Sequence, residues 1–186
     1  AKPFLFYGIL ATCNPGDEVV YPNPGFPIYE SAIKWAGATP VPLPLTEETD
    51  FAFTADDLRA RLSPKTKMVI LNSPGNPTGG YNSKQLNAEI AAVLADHDCW
   101  ILTDEVYSEM LWGGAEHDTI AAHMGLQDRT ILLDGATQAA LRAAHLKYHL
   151  TTVAILTPEQ VVRYNELRGY TGHAAPAHHH QQMHHR

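Results

Sequence analysis

Residues 66–71 (TKMVIL) run straight into Asn72-Ser73-Pro74-Gly75-Asn76-Pro77-Thr78-Gly79-Gly80, after which residues 85–94 carry apolar side chains at helical spacing. A short apolar run of this kind suits a strand buried on both faces, and the period that follows is that of a helix. The loop between them holds two prolines, which fix φ, and three glycines, which open backbone conformations closed to other residues. Its path is therefore specified where a strand ends and a helix begins. Punctuation alone makes it a strand-to-helix turn.

The same alternation recurs along the chain. Residues 3–14 read as an amphipathic or buried helix, 18–21 as a short strand before a Pro-rich loop, and 28–36 as a helix. Residues 39–45 are strand-like, with prolines at 40, 42 and 44 that assign them to an edge or an irregular position. Thr54 is the expected N-cap of a helix reaching Leu62, with Asp56 and Asp57 at the positive end of its dipole. Further strands are expected at 99–103, 130–133 and 151–156, and further helices at 83–97 and 158–167. This order predicts an α/β fold, a three-layer α/β/α arrangement around a mainly parallel mixed sheet. In such sheets ligands sit beyond the carboxyl ends of the strands. Here those ends carry Asn72 to Asn76, Asp104-Glu105 with Tyr107, and Asp134-Gly135.

With 13 basic against 20 acidic residues the formal net charge is −7, and no stripe of Lys and Arg is present. That balance argues against nucleic acid or an anionic membrane as partner, since both call for a basic face. Cys13 and Cys99 are far apart and outside any CxxC spacing, so neither a disulfide framework nor a thiolate zinc site is expected. No apolar run reaches the roughly 18 residues of a membrane span, and a reducing cytoplasm is the expected setting. The chain opens with Ala and enters a helix at once, which reads as a chain cut into. Its length suits one domain, assigned to residues 1–172. Residues 173–186 hold six of the eleven histidines and read as a flexible, tag-like tail. No metal site is predicted.

The blocks KPFLFYGIL, NPGDEVVYPNPGFPIYES, AGATPVPLPL, LNSPGNPTGG, LTDEVYSEML and RTILLDG, in this order over residues 2–135, resemble the class I/II aminotransferases that use pyridoxal 5'-phosphate and have the fold-type I architecture. A weaker match resumes at TPEQVVRYNELR. The resemblance implies transfer of an amino group between an amino acid and a 2-oxo acid, in a homodimer. It also implies roles for single residues. Asp104 would pair with the pyridine nitrogen of the cofactor and keep it protonated, so that the ring accepts carbanion charge. Tyr107 and Asn76 would hydrogen-bond its phenolic oxygen, and Phe26 would stack on the ring. Taken alone, Asn76 suits a turn and Phe26 is equally suited to a core. Ala1 and Lys2 match the segment whose backbone N–H groups hold the phosphate at a helix N-terminus. Thr137 is implied in cofactor binding as well. Asn23–Pro24 and Asn76–Pro77 are candidate cis bonds.

One stretch departs from the family. Where it places Phe-Ser-Lys-Thr after Asp-Gly, residues 134–142 read DGATQAALR, so Gln138 stands at the position of the Schiff-base lysine. Gln can neither form a Schiff base nor act as a general base. Leu146 stands where the family has a phosphate-binding arginine. A frameshift, a redesign or an error in the recorded sequence would each produce residues 136–149 as they read. Two readings of function therefore stand side by side: an aminotransferase large domain inactive as it is, and a catalytically dead fold-type I domain that binds cofactor or serves as a structural module.

Overall fold

The computed structural model describes residues 2–111 and 113–135. Among the described residues five strands form one sheet: β1 (Glu18–Asn23), β2 (Thr39–Pro44), β3 (Thr66–Asn72), β4 (Trp100–Asp104) and β5 (Thr130–Leu133). Their spatial order is β2-β1-β3-β4-β5, and every neighbouring pair is parallel. The helices are α1 (Lys2–Thr12), α2 (Ile28–Trp35), α3 (Ala55–Arg59) and α4 (Lys84–Ala95). Single 3-10 turns at Glu47–Thr49, Ile120–Ala122 and Gln127–Arg129 fall in stretches without a sequence period. No described helix is long and apolar enough to cross a membrane.

Strand alternation sorts the core into two layers. Met68 and Ile70 of β3 and Leu102 of β4 pack with Leu5 and Ile9 of α1 and Tyr29 and Ile33 of α2. Val69 and Leu71 of β3 and Ile101 of β4 point the other way, against Leu58 of α3 and Ile90 and Leu94 of α4. Both faces are covered, which is why the strands read as continuous apolar runs. The proline-rich β2 pairs only with β1 among the described residues, the edge position its three prolines require.

Helix ends follow local chemistry. Thr54 Oγ1 accepts from Asp57 N at 3.1 Å while Thr54 N donates to Asp57 Oδ2 at 2.8 Å, a capping box at the start of α3. This helix stops at Arg59, short of the expected Leu62. Pro64 biases Ser63 away from helical geometry and leaves only turns between. Ser83 caps α4 by accepting from Leu86 N at 3.1 Å. The strand expected at 151–156, the helix expected at 158–167 and the tail from 173 lie outside the described residues.

Three carbonyls at the end of α4 and in the turn after it converge on one cation. Arg129 donates to Leu94 O at 2.7 Å, to His97 O, and to Cys99 O at 3.4 Å. Leu94 O and His97 O already accept from His97 N and Cys99 N, so the guanidinium adds a charged donor that suits the negative end of the helix dipole. Arg129→Ala should therefore destabilise the fold by about 2 kcal/mol. Urea unfolding of the two proteins, followed by circular dichroism, is the measurement.

Candidate active site

The strand order reverses between β1 and β3: from β1 the chain steps outward to β2, then returns to the other side of β1. The loops leaving the carboxyl ends of these strands part there, which makes a crevice. A cavity of about 460 Å³ occupies it, lined by α1, by the loop after β1, by the loop after β3 and by the end of β4. Of the sequence-predicted site residues, Lys2, Phe26, Asn76, Asp104 and Tyr107 all line this cavity. Ala1, Thr137, Gln138 and Leu146 lie outside the described residues.

Asp104 ends β4 and is 7% exposed. Alternation turns its side chain toward the α1/α2 layer, where Tyr29, fully buried on α2, donates to its Oδ2 at 2.8 Å. Val106 N approaches Oδ1 at 3.4 Å, and no described salt bridge reaches the carboxylate. Burial pushes the Asp104 carboxyl above its ordinary range, although the Tyr29 and Val106 hydrogen bonds pull the other way. Burial and the adjacent carboxylate push the Tyr29 phenol far up, so Tyr29 stays protonated and is the donor.

The loop after β3 is pinned by Asn72. Its Nδ2 donates to Asp104 O at 2.9 Å and to Pro74 O at 3.2 Å, and its Oδ1 accepts from Asn76 N at 2.7 Å. Ser73 Oγ accepts from Asn82 N at 2.9 Å and closes the far side of the loop. Asn23–Pro24 and Asn76–Pro77 are cis as anticipated, and Ser73–Pro74 is cis as well. In the loop after β1, a Cβ on Gly25 would collide with the Pro22 carbonyl oxygen, so only glycine permits the path that brings Phe26 to the cavity. Phe26 meets Tyr29 edge-on, with ring centroids 5.7 Å apart.

Glu105 follows Asp104 and points to the opposite layer. Its Oε1 accepts from Thr103 Oγ1 at 2.9 Å and Thr119 Oγ1 at 2.7 Å, and its Oε2 pairs with His117 Nε2 at 2.7 Å. Next to it Asp118 accepts from Asn87 of α4 at 2.9 Å and pairs with His123 at 2.8 Å. These contacts moor the segment after Tyr107 to both β4 and α4.

The donor set fits a planar ligand with a basic ring nitrogen. A buried carboxylate without a described cationic partner gains most from a protonated nitrogen, and Phe26, Asn76 and Tyr107 add an aromatic face, an amide and a phenol to the same cavity. Sequence reasoning missed Tyr29 and Asn72. Tyr29 lies 75 residues from Asp104 and reads as one more apolar position of a helix. Asn72 carried the signal of a polar residue closing an apolar strand.

A raised carboxyl also sets how stability depends on pH. The folded state holds the Asp104 proton more tightly than the unfolded chain, so this contribution is full below the ordinary carboxylate pKa and is lost as pH rises through the raised value. Asp104→Asn keeps an acceptor for Tyr29 and removes the buried charge. The variant should melt at a higher temperature than the parent at pH 7, with the difference vanishing in acid. Thermal melts from pH 3 to pH 8 check this.

Aminotransferase class I and II is the family whose sequence model matches, over residues 2–158. The aspartate aminotransferase of Musicola paradisiaca is 37% identical over 139 residues, covering 75% of this chain and 35% of that protein. The putative aminotransferase YugH of Bacillus subtilis is 38% identical over 139 residues, covering 75% and 36%. Among solved structures, the aspartate aminotransferase from Rhizobium meliloti superposes with a TM-score of 0.69 at 32% identity, covering 72% of this chain and 34% of that one. The aromatic aminotransferase from Pyrococcus horikoshii OT3 gives a TM-score of 0.67 at 38% identity, covering 72% and 35%. The chain thus spans about a third of the length of these relatives. A parallel sheet whose strand ends gather Asn76, Asp104 and Tyr107 in one cavity, together with this sequence likeness, makes the chain a member of the class I and II aminotransferase family.

Proposed function

We propose that the chain is the cofactor-binding part of an aminotransferase that uses pyridoxal 5'-phosphate and moves an amino group between an amino acid and a 2-oxo acid. The observation that carries this reading is the buried Asp104 carboxylate, held by Tyr29 at the cavity and facing no described salt-bridge partner. When bound, the cofactor supplies an electron sink for negative charge at the α-carbon of an amino acid.

The residues of this chain set the conditions for that chemistry. Asp104 would accept from the protonated ring nitrogen and hold the proton there, and the Tyr29 hydroxyl keeps one carboxylate oxygen in place. Asn76 and Tyr107, which line the cavity, would donate to the phenolic oxygen. Phe26 gives an apolar face that keeps water from one side of the ring. Backbone N–H groups at the start of α1, from Lys2 onward, would suit the phosphate, a role the resemblance extends to Ala1. A homodimer and a cytoplasmic setting belong to the same reading. So does the division into a domain at 1–172 and a tail at 173–186.

A second reading, a catalytically inactive module that retains cofactor affinity, is favoured by Gln138 and Leu146, which remove the family's amine and its phosphate-binding cation. Both readings place the ligand at Asp104. Pyridoxine 5'-phosphate, which has no aldehyde, isolates that affinity in equilibrium dialysis. Loss of a charge-assisted hydrogen bond in Asp104→Asn should weaken binding by about tenfold to a hundredfold. Leu146→Arg should strengthen it by about tenfold, by giving the phosphate a guanidinium. Equal affinity in the parent and Asp104→Asn would sink both readings.

A further inference from the structure

We propose that Lys2 is the working amine of this cavity and captures the aldehyde carbon of pyridoxal 5'-phosphate through its Nζ, in the role that Gln138 leaves unfilled. The inference rests on the reading that the cavity receives this cofactor.

Lys2 is the one Lys, Arg or His among the described residues that line the cavity. Its backbone is fixed as the first residue of α1, a helix anchored by fully buried Leu5 and Ile9. Lys2 is exposed and its side chain borders the cavity. The Nζ lies 5.8 Å from the centroid of the Phe26 ring, within the range of a cation–π contact. A flexible stem on a fixed helix therefore delivers a primary amine to the cavity that also holds Asn76, Asp104 and Tyr107. The other described lysines are placed elsewhere. Lys34 pairs with Glu30 on α2 at 2.5 Å, Lys65 and Lys67 stand at the amino end of β3, and Lys84 opens α4.

The step balances without a further reagent. The free-amine form of Lys2, its proton given to solvent, attacks the aldehyde carbon; a C–N bond forms, the carbonyl oxygen leaves as water, and the product is an imine. Added borohydride then delivers hydride to that carbon, and the nitrogen takes a proton to give a stable secondary amine that marks the residue.

The test takes the full chain, incubates it with pyridoxal 5'-phosphate, reduces with borohydride and maps the adduct by peptide mass spectrometry. Lys2 should carry most of the label, and excess pyridoxine 5'-phosphate should suppress it. Lys2→Arg, which keeps the charge but has no primary amine, should lose this label while its circular dichroism spectrum stays that of the parent. Label on Lys147, the lysine next to Leu146 and outside the described residues, or label spread over the surface lysines, with binding of pyridoxine 5'-phosphate intact, overturns the role of Lys2 and leaves the cofactor reading standing. Absence of pyridoxine 5'-phosphate binding removes the cofactor reading, and any label on Lys2 that the analogue fails to suppress is then surface chemistry and overturns the inference too.

Discussion

Everything at the cavity depends on the parallel register of β1, β3 and β4. With all strands running the same way, the three segments that leave them, bearing Phe26, Asn76 and Tyr107, emerge at one rim. An antiparallel neighbour would send one of these loops to the far end of the sheet. Parallel pairing in turn requires a crossover between successive strands, and the crossovers put α2 and α4 on opposite faces. The helix that supplies Tyr29 is thus a by-product of the topology.

Period two along β4 then divides two successive carboxylates between two tasks. Asp104 faces the cavity and keeps little beyond the Tyr29 hydroxyl, whereas Glu105 faces the other layer and is met by two threonines and a histidine. Satisfied hydrogen bonds suit a group that builds, and an underserved charge suits a group that binds. Stability and function pull apart at this one strand end, as they commonly do where a site retains a buried charge.

The sheet was legible because its apolar runs are plain, and the five cavity-lining residues Lys2, Phe26, Asn76, Asp104 and Tyr107 were named through the family resemblance, four of them within a few positions of a strand end. Asn76, Asp104 and Tyr107 follow such runs directly, and Phe26 follows one after a proline turn. The shortened α3 and the isolated 3-10 turns were not legible, since single turns follow local proline placement and tertiary contacts more than any period. Tyr29 was hidden for another reason. A residue that serves both as core filler and as hydrogen-bond donor shows only the first property in a sequence, because its partner is distant along the chain. The same holds for Arg129, whose acceptors are backbone carbonyls that no side-chain pattern records.

Asn72 has a mechanical consequence. By holding the Asp104 carbonyl, the Pro74 carbonyl and the Asn76 amide together, one side chain welds the turn after β3 to the neighbouring strand. That wall of the crevice has few degrees of freedom of its own. Across the crevice the backbone is held as well, by buried Leu5 and Ile9 of α1 and by the Phe26 carbonyl accepting from Tyr29 N at 3.0 Å, and only the Lys2 and Phe26 side chains meet without a hydrogen bond. What is left to adjust to a guest is side chain and not backbone, and the welded wall carries the groups whose spacing must not change.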